Sequence, residues 1–207
     1  KYRPSDNDIA KVLYQLFKDK YICACSKNNQ WYKYSDNRWK ENDSGISLRS
    51  SISNELKDLY YNKTVTLMQD TSSRNTNRNV INDNEDEGDN EDEERNKVRS
   101  LQICNIIHRL GSTSDKMKIM TEAKEFFYVE SFHDKMDINP YLLCFKNGVV
   151  DFKEKKFRKG LPEDYISLCT NNDYIQLTDK HTPIVNEIHE FMRQLFPEPD
   201  LCKYMWE

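Results

Sequence analysis

The residues predict an α+β fold: a largely helical layer with small antiparallel sheets and hairpins, interrupted by one long disordered acidic loop. Three observations carry this. Apolar residues recur at helical spacing in several segments, short apolar runs flank turn-forming residues, and residues 82–94 hold nine carboxylates with no basic side chain. Helices bury a stripe of period 3.6 and strands a face of period 2, so the spacing separates the two kinds of element.

In order along the chain, Ser5 or Asp6 caps a first helix whose apolar face is Ile9, Val12, Leu13, Leu16 and Phe17. Two strands, Tyr21 to Cys25 and Gln30 to Tyr34, follow around the turn Ser26–Asn29, and a third runs through Arg38-Trp39-Lys40. Trp31, Tyr32, Tyr34 and Trp39 lie close enough to pair across strands; they either cover a helix layer or form an exposed stacking surface. A helix from about Ile46 carries the stripe Leu48, Ile52, Leu56, Leu59 and Tyr60, which fades past Lys63.

The segment 71–96 cannot bury apolar surface and is expected to be a disordered or solvated insert. Helix resumes near Lys97 with Val98, Leu101, Cys104, Ile107 and Leu110 inward, and ends at Gly111. Ser112–Ser114 opens another helix with Met117, Met120, Ala123 and Phe127 on its apolar side. After Phe132, Met136 and Ile138, the runs Leu142–Phe145 and Val149–Phe152 meet at Asn147-Gly148, the pattern of a hairpin with positive φ at both turn residues. Pro183 opens a helix bearing Val185, Ile188, Met192 and Leu195, Pro197 and Pro199 break it, and Leu201–Trp206 begins another. The organisation is therefore 1–70 (helix, aromatic hairpins, helix), 71–96 (acidic insert), 97–182 (helices and the Asn-Gly sheet) and 183–207 (C-terminal helices).

Composition excludes several classes of function. The chain's net charge of −4 becomes +5 without the nine acids of 82–94, a mildly basic remainder that permits nucleic-acid contact. No G-x-x-x-x-G-K-[ST] occurs and the five glycines stand far apart, so this segment is not expected to hold ATP. The six cysteines form no C-x-x-C pair and the four histidines no ligand spacing, so no metal site or catalytic residue is predicted. No apolar run reaches transmembrane length and no signal peptide is visible, so no membrane partner is expected. Scattered free cysteines read most simply as small core residues in a reducing compartment.

Two basic clusters are the candidate nucleic-acid contacts: Lys33, Arg38, Trp39 and Lys40 among the aromatics, and Lys153, Lys155, Lys156, Arg158 and Lys159 after the hairpin. Basic side chains beside aromatic faces hold a phosphate backbone and stack bases. The alternative for each cluster is a solvated strand edge that lysines protect from edge-to-edge association.

The motifs F-x-N-G-V-x-D-F (Phe145–Phe152), P-E-D-Y-I-S (Pro162–Ser167) and N-D-Y (Asn172–Tyr174) resemble the domain that precedes the helicase in poxvirus-type primase-helicases. Related chains occur in large DNA viruses, phages and plasmids, and W-Y-x-Y-x-x-x-R-W (Trp31–Trp39) with E-A-K-E-F-F (Glu122–Phe127) fits the same pattern. The likeness spans most of the chain outside the acidic tract. It implies a non-catalytic collar or spacer that links primase to a superfamily-three helicase, supports a ring of copies (a hexamer) and engages DNA. The parent protein would need ATP and Mg, hydrolyse ATP in viral DNA replication, meet other replication proteins, and work at a cytoplasmic replication site in the host cell. The chain opens on Lys1 and stops at Glu207 inside a helical pattern, as expected of a segment whose motor lies downstream. An autonomous single-stranded or duplex DNA-binding module is the other reading.

Overall fold

The computed structural model describes the backbone of residues 4–78 and 87–206 and the side chains of 4–69 and 94–206. Helix α1 (Asp6–Phe17) starts at Ser5, whose hydroxyl accepts from Asp8 N while the Asp8 carboxylate accepts from Ser5 N, a reciprocal cap. Strands β1 (Tyr21–Cys25), β2 (Gln30–Ser35) and β3 (Arg38–Glu41) form an antiparallel sheet in that order. Helix α2 (Ile46–Ser51), one π-helical turn (Ile52–Leu56) and helix α3 (Lys57–Arg78) follow. Helices α4 (Glu87–Gly111), α5 (Thr113–Phe127) and α6 (Phe132–Lys135) lead to a second antiparallel sheet, β4 (Leu142–Phe145), β5 (Gly148–Asp151) and β6 (Lys156–Arg158). Helices α7 (Thr182–Leu195) and α8 (Pro199–Trp206) close the chain. The fold class is thus the expected one, helices with two small antiparallel sheets.

The first sheet is covered on both faces. Trp31 points to the helical side, where it packs with Phe127, Leu13, Ile52 and Leu110 in the main core. Its neighbour Tyr32 points the other way and joins Trp39 and Phe132 in a second core, as the period of two requires. Only Trp31 therefore covers the helix layer; Tyr32, Tyr34 and Trp39 cover the opposite face.

Two sequence expectations are corrected by packing. Helix α4 buries Ile106, Arg109 and Leu110 and exposes Val98, Leu101 and Cys104. Arg109 fixes that rotation: its guanidinium pairs with Asp6 and donates to the Pro4 carbonyl at 2.6 Å, drawing a charged side chain inward where an apolar one was expected. In the preceding helix the π turn rotates the buried stripe, which runs Leu48, Ile52, Leu56 and then to Thr64, leaving Leu59 exposed. Of the insert expected at 71–96, residues 79–86 lie outside the described residues, and helical backbone borders them on both sides.

The hairpin at Asn147-Gly148 forms, but for a different reason. Phe145 pairs with Gly148, so the turn is Lys146-Asn147, and neither has positive φ. Gly148 is needed for space: a Cβ there would lie 2.5 Å from the Phe157 ring and 2.6 Å from the Arg158 carbonyl oxygen. Among the described residues no helix is long and apolar enough to cross a membrane, and no group of three or more His, Cys, Asp or Glu could hold a metal ion.

Gly148→Ala is expected to lower unfolding stability by about 1–3 kcal/mol, because backbone on β6 must shift to admit the methyl. A urea midpoint equal to that of the parent chain would contradict the close packing of Phe157 on Gly148.

Candidate nucleic-acid interface

The two basic clusters sit on the two sheets, and the sheets meet through the β2–β3 turn. Asp36 and Asn37 both have positive φ, 52° and 64°, the geometry of a two-residue type I′ hairpin turn. The Asn37 amide then donates to the Lys146 carbonyl at 3.1 Å and accepts from Gly160 N at 3.0 Å. Next to it, Trp39 N donates to the Ile166 carbonyl at 2.7 Å and Trp39 Nε1 to the Pro162 carbonyl at 2.8 Å. The segment 160–166 is thereby clamped across the first sheet, and the second sheet with it.

In the first cluster every candidate side chain has a partner within the protein. Trp39 is 2% exposed, so its ring lies in the core. Lys40 pairs with Asp36 at 2.5 Å, and this hydrogen bond holds the Asp36 carboxyl below its usual range. Lys33 Nζ lies 5.8 Å from the Tyr21 ring centroid, and Arg38 reaches Asn171 Oδ1 at 3.5 Å. Burial pushes the neighbouring Tyr34 hydroxyl up to about 12, with Asp164 adding to the effect.

The second cluster divides by residue type. Arg158 grips Asp164 with both guanidinium nitrogens, at 2.7 and 2.8 Å, and lies 3.5 Å from Asp151. That hydrogen bond to Asp164 raises the Arg158 pKa further, so the fork is a permanent part of the fold. Asp151 Oδ1 also accepts from Lys153 N at 3.1 Å and Glu154 N at 3.0 Å, an Asx turn that builds the β5–β6 connection. These contacts, with the Glu154 N–H first and Arg158 after it, hold the Asp151 carboxyl below its ordinary value of 3.8.

The consequence is outward presentation of lysines. Lys153, Lys155, Lys156 and Lys159 are all exposed around the β5–β6 hairpin, and of these only Lys156 has an ion-pair partner among the described residues, Glu154 at 3.6 Å. Exposed Phe152 and Phe157 stand beside them, with Phe157 stacked on Tyr174 at 4.5 Å. The sequence treated Lys153–Lys159 as one basic run. The structure separates a strand, β6, whose arginine is structural, from a hairpin tip with solvated ammonium groups. Sequence reasoning missed Asn37, Asp151 and Asp164, although Asp36-Asn37 between alternating aromatics is itself a hairpin signal.

Residues 10–197 match the family described as D5 N terminal like. The chain belongs to that family. Among individual proteins, the D5 N terminal like chain is 31% identical over 201 residues to L207/L206 of Acanthamoeba polyphaga mimivirus, covering 97% of this chain. It is 29% identical over 185 residues, 81% of its length, to 022R of Frog virus 3 (isolate Goorha). A third relative, 121R of Invertebrate iridescent virus 3, is 36% identical over 102 residues, 49% of this chain and 11% of its own length. All three carry a provisional helicase name. The chain spans 19% of the length of the first two, so most of each relative lies outside the aligned part. The D5 N terminal like domain is therefore associated with viral helicases, in agreement with the resemblance seen in its motifs.

Arg158→Ala should cost about 2–4 kcal/mol of stability by leaving Asp164 and Asp151 without their cation, whereas Lys153→Ala should change it by less than about 0.5 kcal/mol. Equal effects in urea denaturation would contradict the division between a structural arginine and solvated lysines. The lowered Asp151 pKa also sets a pH dependence: its contribution is complete above the ordinary value of 3.8 and is lost as pH falls through the folded value. Asp151→Asn should flatten acid-induced unfolding in that window, read by the urea midpoint against pH.

Proposed function

We propose that this chain is the non-catalytic module that joins a primase to a superfamily-three, ATP-driven DNA helicase in a viral replication protein. In this reading it supports a ring of copies, a hexamer, and touches DNA near the channel. The parent protein would use ATP and Mg, act in viral DNA replication at a cytoplasmic site, and meet other replication proteins there. The observation that carries the reading is the family match over residues 10–197, together with relatives named as helicases that extend far beyond the aligned segment.

Two surface features support a mechanical role. Helices α7 and α8 present Ile184, Ile188, Phe191, Leu195 and Leu201 to solvent, an apolar stripe suited to protein contact. The β5–β6 hairpin presents Lys153, Lys155 and Lys159 beside Phe152, which suits a phosphate backbone. Autonomous DNA binding is favoured by that second feature alone.

Light scattering separates the readings: the chain extended through the following several hundred residues should have a mass several times that of one copy. A monomer at every concentration would remove the ring. For DNA, replacing Lys153, Lys155 and Lys159 with Glu should weaken single-strand binding. It should also reduce the slope of log K against log salt by about 0.7 for each phosphate that is no longer neutralised. An unchanged slope would exclude the hairpin from the DNA interface.

A further inference from the structure

A cleft of about 190 Å³ lies away from the lysine-rich β5–β6 hairpin, where helix α1, helix α5 and the turn Pro162–Asp164 converge, and the buried Trp39 of the first cluster forms part of its lining. Tyr14 of α1, Phe126 and Tyr128 at the end of α5, and Tyr165 form aromatic walls. Asp19 and Glu163 line it too; both are exposed, and neither forms an ion pair among the described residues. Lys18 is the basic residue among the lining groups.

The electrostatics of the cleft come from the backbone as well. Asn7 bonds to Glu122 at 3.0 Å, and one helical stretch later Tyr14 meets Phe127 at 5.1 Å, so α1 and α5 run parallel. Both C-terminal ends therefore point to the cleft. Each end carries the equivalent of roughly half a negative charge. The last turn of α1 holds no basic residue, but its C-cap is Lys18 and the last turn of α5 holds Lys124. The two carboxylates of Asp19 and Glu163 therefore set the sign of the potential together with the helix ends. Tyr165 is held on the cleft at φ +50°, a conformation that costs a non-glycine residue about 1–3 kcal/mol. Its carbonyl accepts from Asp137 N at 2.8 Å, and its ring packs 6.0 Å from Phe132.

We propose that this cleft is a receptor for an organic cation, a guanidinium or alkylammonium group, presented as an arginine or lysine side chain of a partner protein. Aromatic faces attract a cation through the ring quadrupole. Two free carboxylates and two helix C-termini add the same sign of potential. That potential repels the phosphate of a nucleotide, which separates this site from the lysine-rich hairpin.

The test titrates the full chain with a short blocked peptide carrying one arginine among glycines and serines, followed by backbone amide NMR. Saturable shifts are expected in residues 14–19, 126–129 and 163–166, and none with citrulline in place of arginine, since citrulline keeps the shape and loses the charge. Asp19→Asn and Glu163→Gln should each weaken binding by about two- to fivefold, and Lys18→Ala should strengthen it by a similar factor. Both acids are exposed, so the variants fold; the opposite sign of Lys18→Ala provides a second check. A parallel titration with spermidine identifies the source: stronger shifts with the peptide support a protein side chain, and stronger shifts with spermidine reassign the site to a free polyamine. Equal response to citrulline, no response in these segments, or competition by inorganic phosphate that Lys18→Ala abolishes would overturn the proposal.

Discussion

Trp39 sits in the seam on which the two sheets depend. Its backbone and its indole both donate to the 162–166 segment, at 2.7 and 2.8 Å, while its ring meets Phe132 and Tyr34. A buried indole N–H needs an acceptor, and here the acceptor belongs to a segment more than a hundred residues later. That one side chain therefore fixes the register between the aromatic sheet and the C-terminal half. Asn37 reinforces the seam from the adjoining turn by satisfying Gly160 N and the Lys146 carbonyl. Several further features follow from the clamp, including the position of Tyr165 and the closure of Arg158 on Asp164.

The basic residues illustrate how guanidinium and ammonium differ once a fold is imposed. Arg158 and Arg109 have planar, donor-rich heads, and both are consumed by carboxylates in partly buried settings. The hairpin lysines have compact, strongly hydrated heads and stay in water. A run of like charges along the sequence thus becomes an internal strut and a solvated tip, with opposite consequences for recognition. The clustering of Phe152 and Phe157 with those lysines leaves an amphipathic corner on the second sheet, while α7 and α8 supply a separate apolar surface.

Much of this architecture was legible in local patterns. The Ser5 cap, the three strands of the aromatic sheet and the start of α7 at Pro183 all follow from short-range rules that the tertiary structure obeys. Gly111, by contrast, ends α4 as its last helical residue without the positive φ of a C′ glycine. The candidate site was legible only as composition. Spacing counted Arg158 with Lys153, Lys155, Lys156 and Lys159, because nothing local reveals that Asp164 and Asp151 converge on the arginine alone. The same blindness affected α4, where apolar spacing selected Val98, Leu101 and Cys104 and the ion pair of Arg109 with Asp6 selected a different face.

The sequence by itself determined the class of fold, the placement of most elements and the membership in a family associated with viral helicases, since these depend on periodicity, caps, turn residues and motifs a few residues long. Tertiary structure alone decided which aromatic is core, which basic residue is structural, and that Tyr14, Asp19, Tyr128 and Glu163 share one cleft. Those outcomes rest on contacts between residues far apart in the chain, whose desolvation and pairing exist only after the chain has folded.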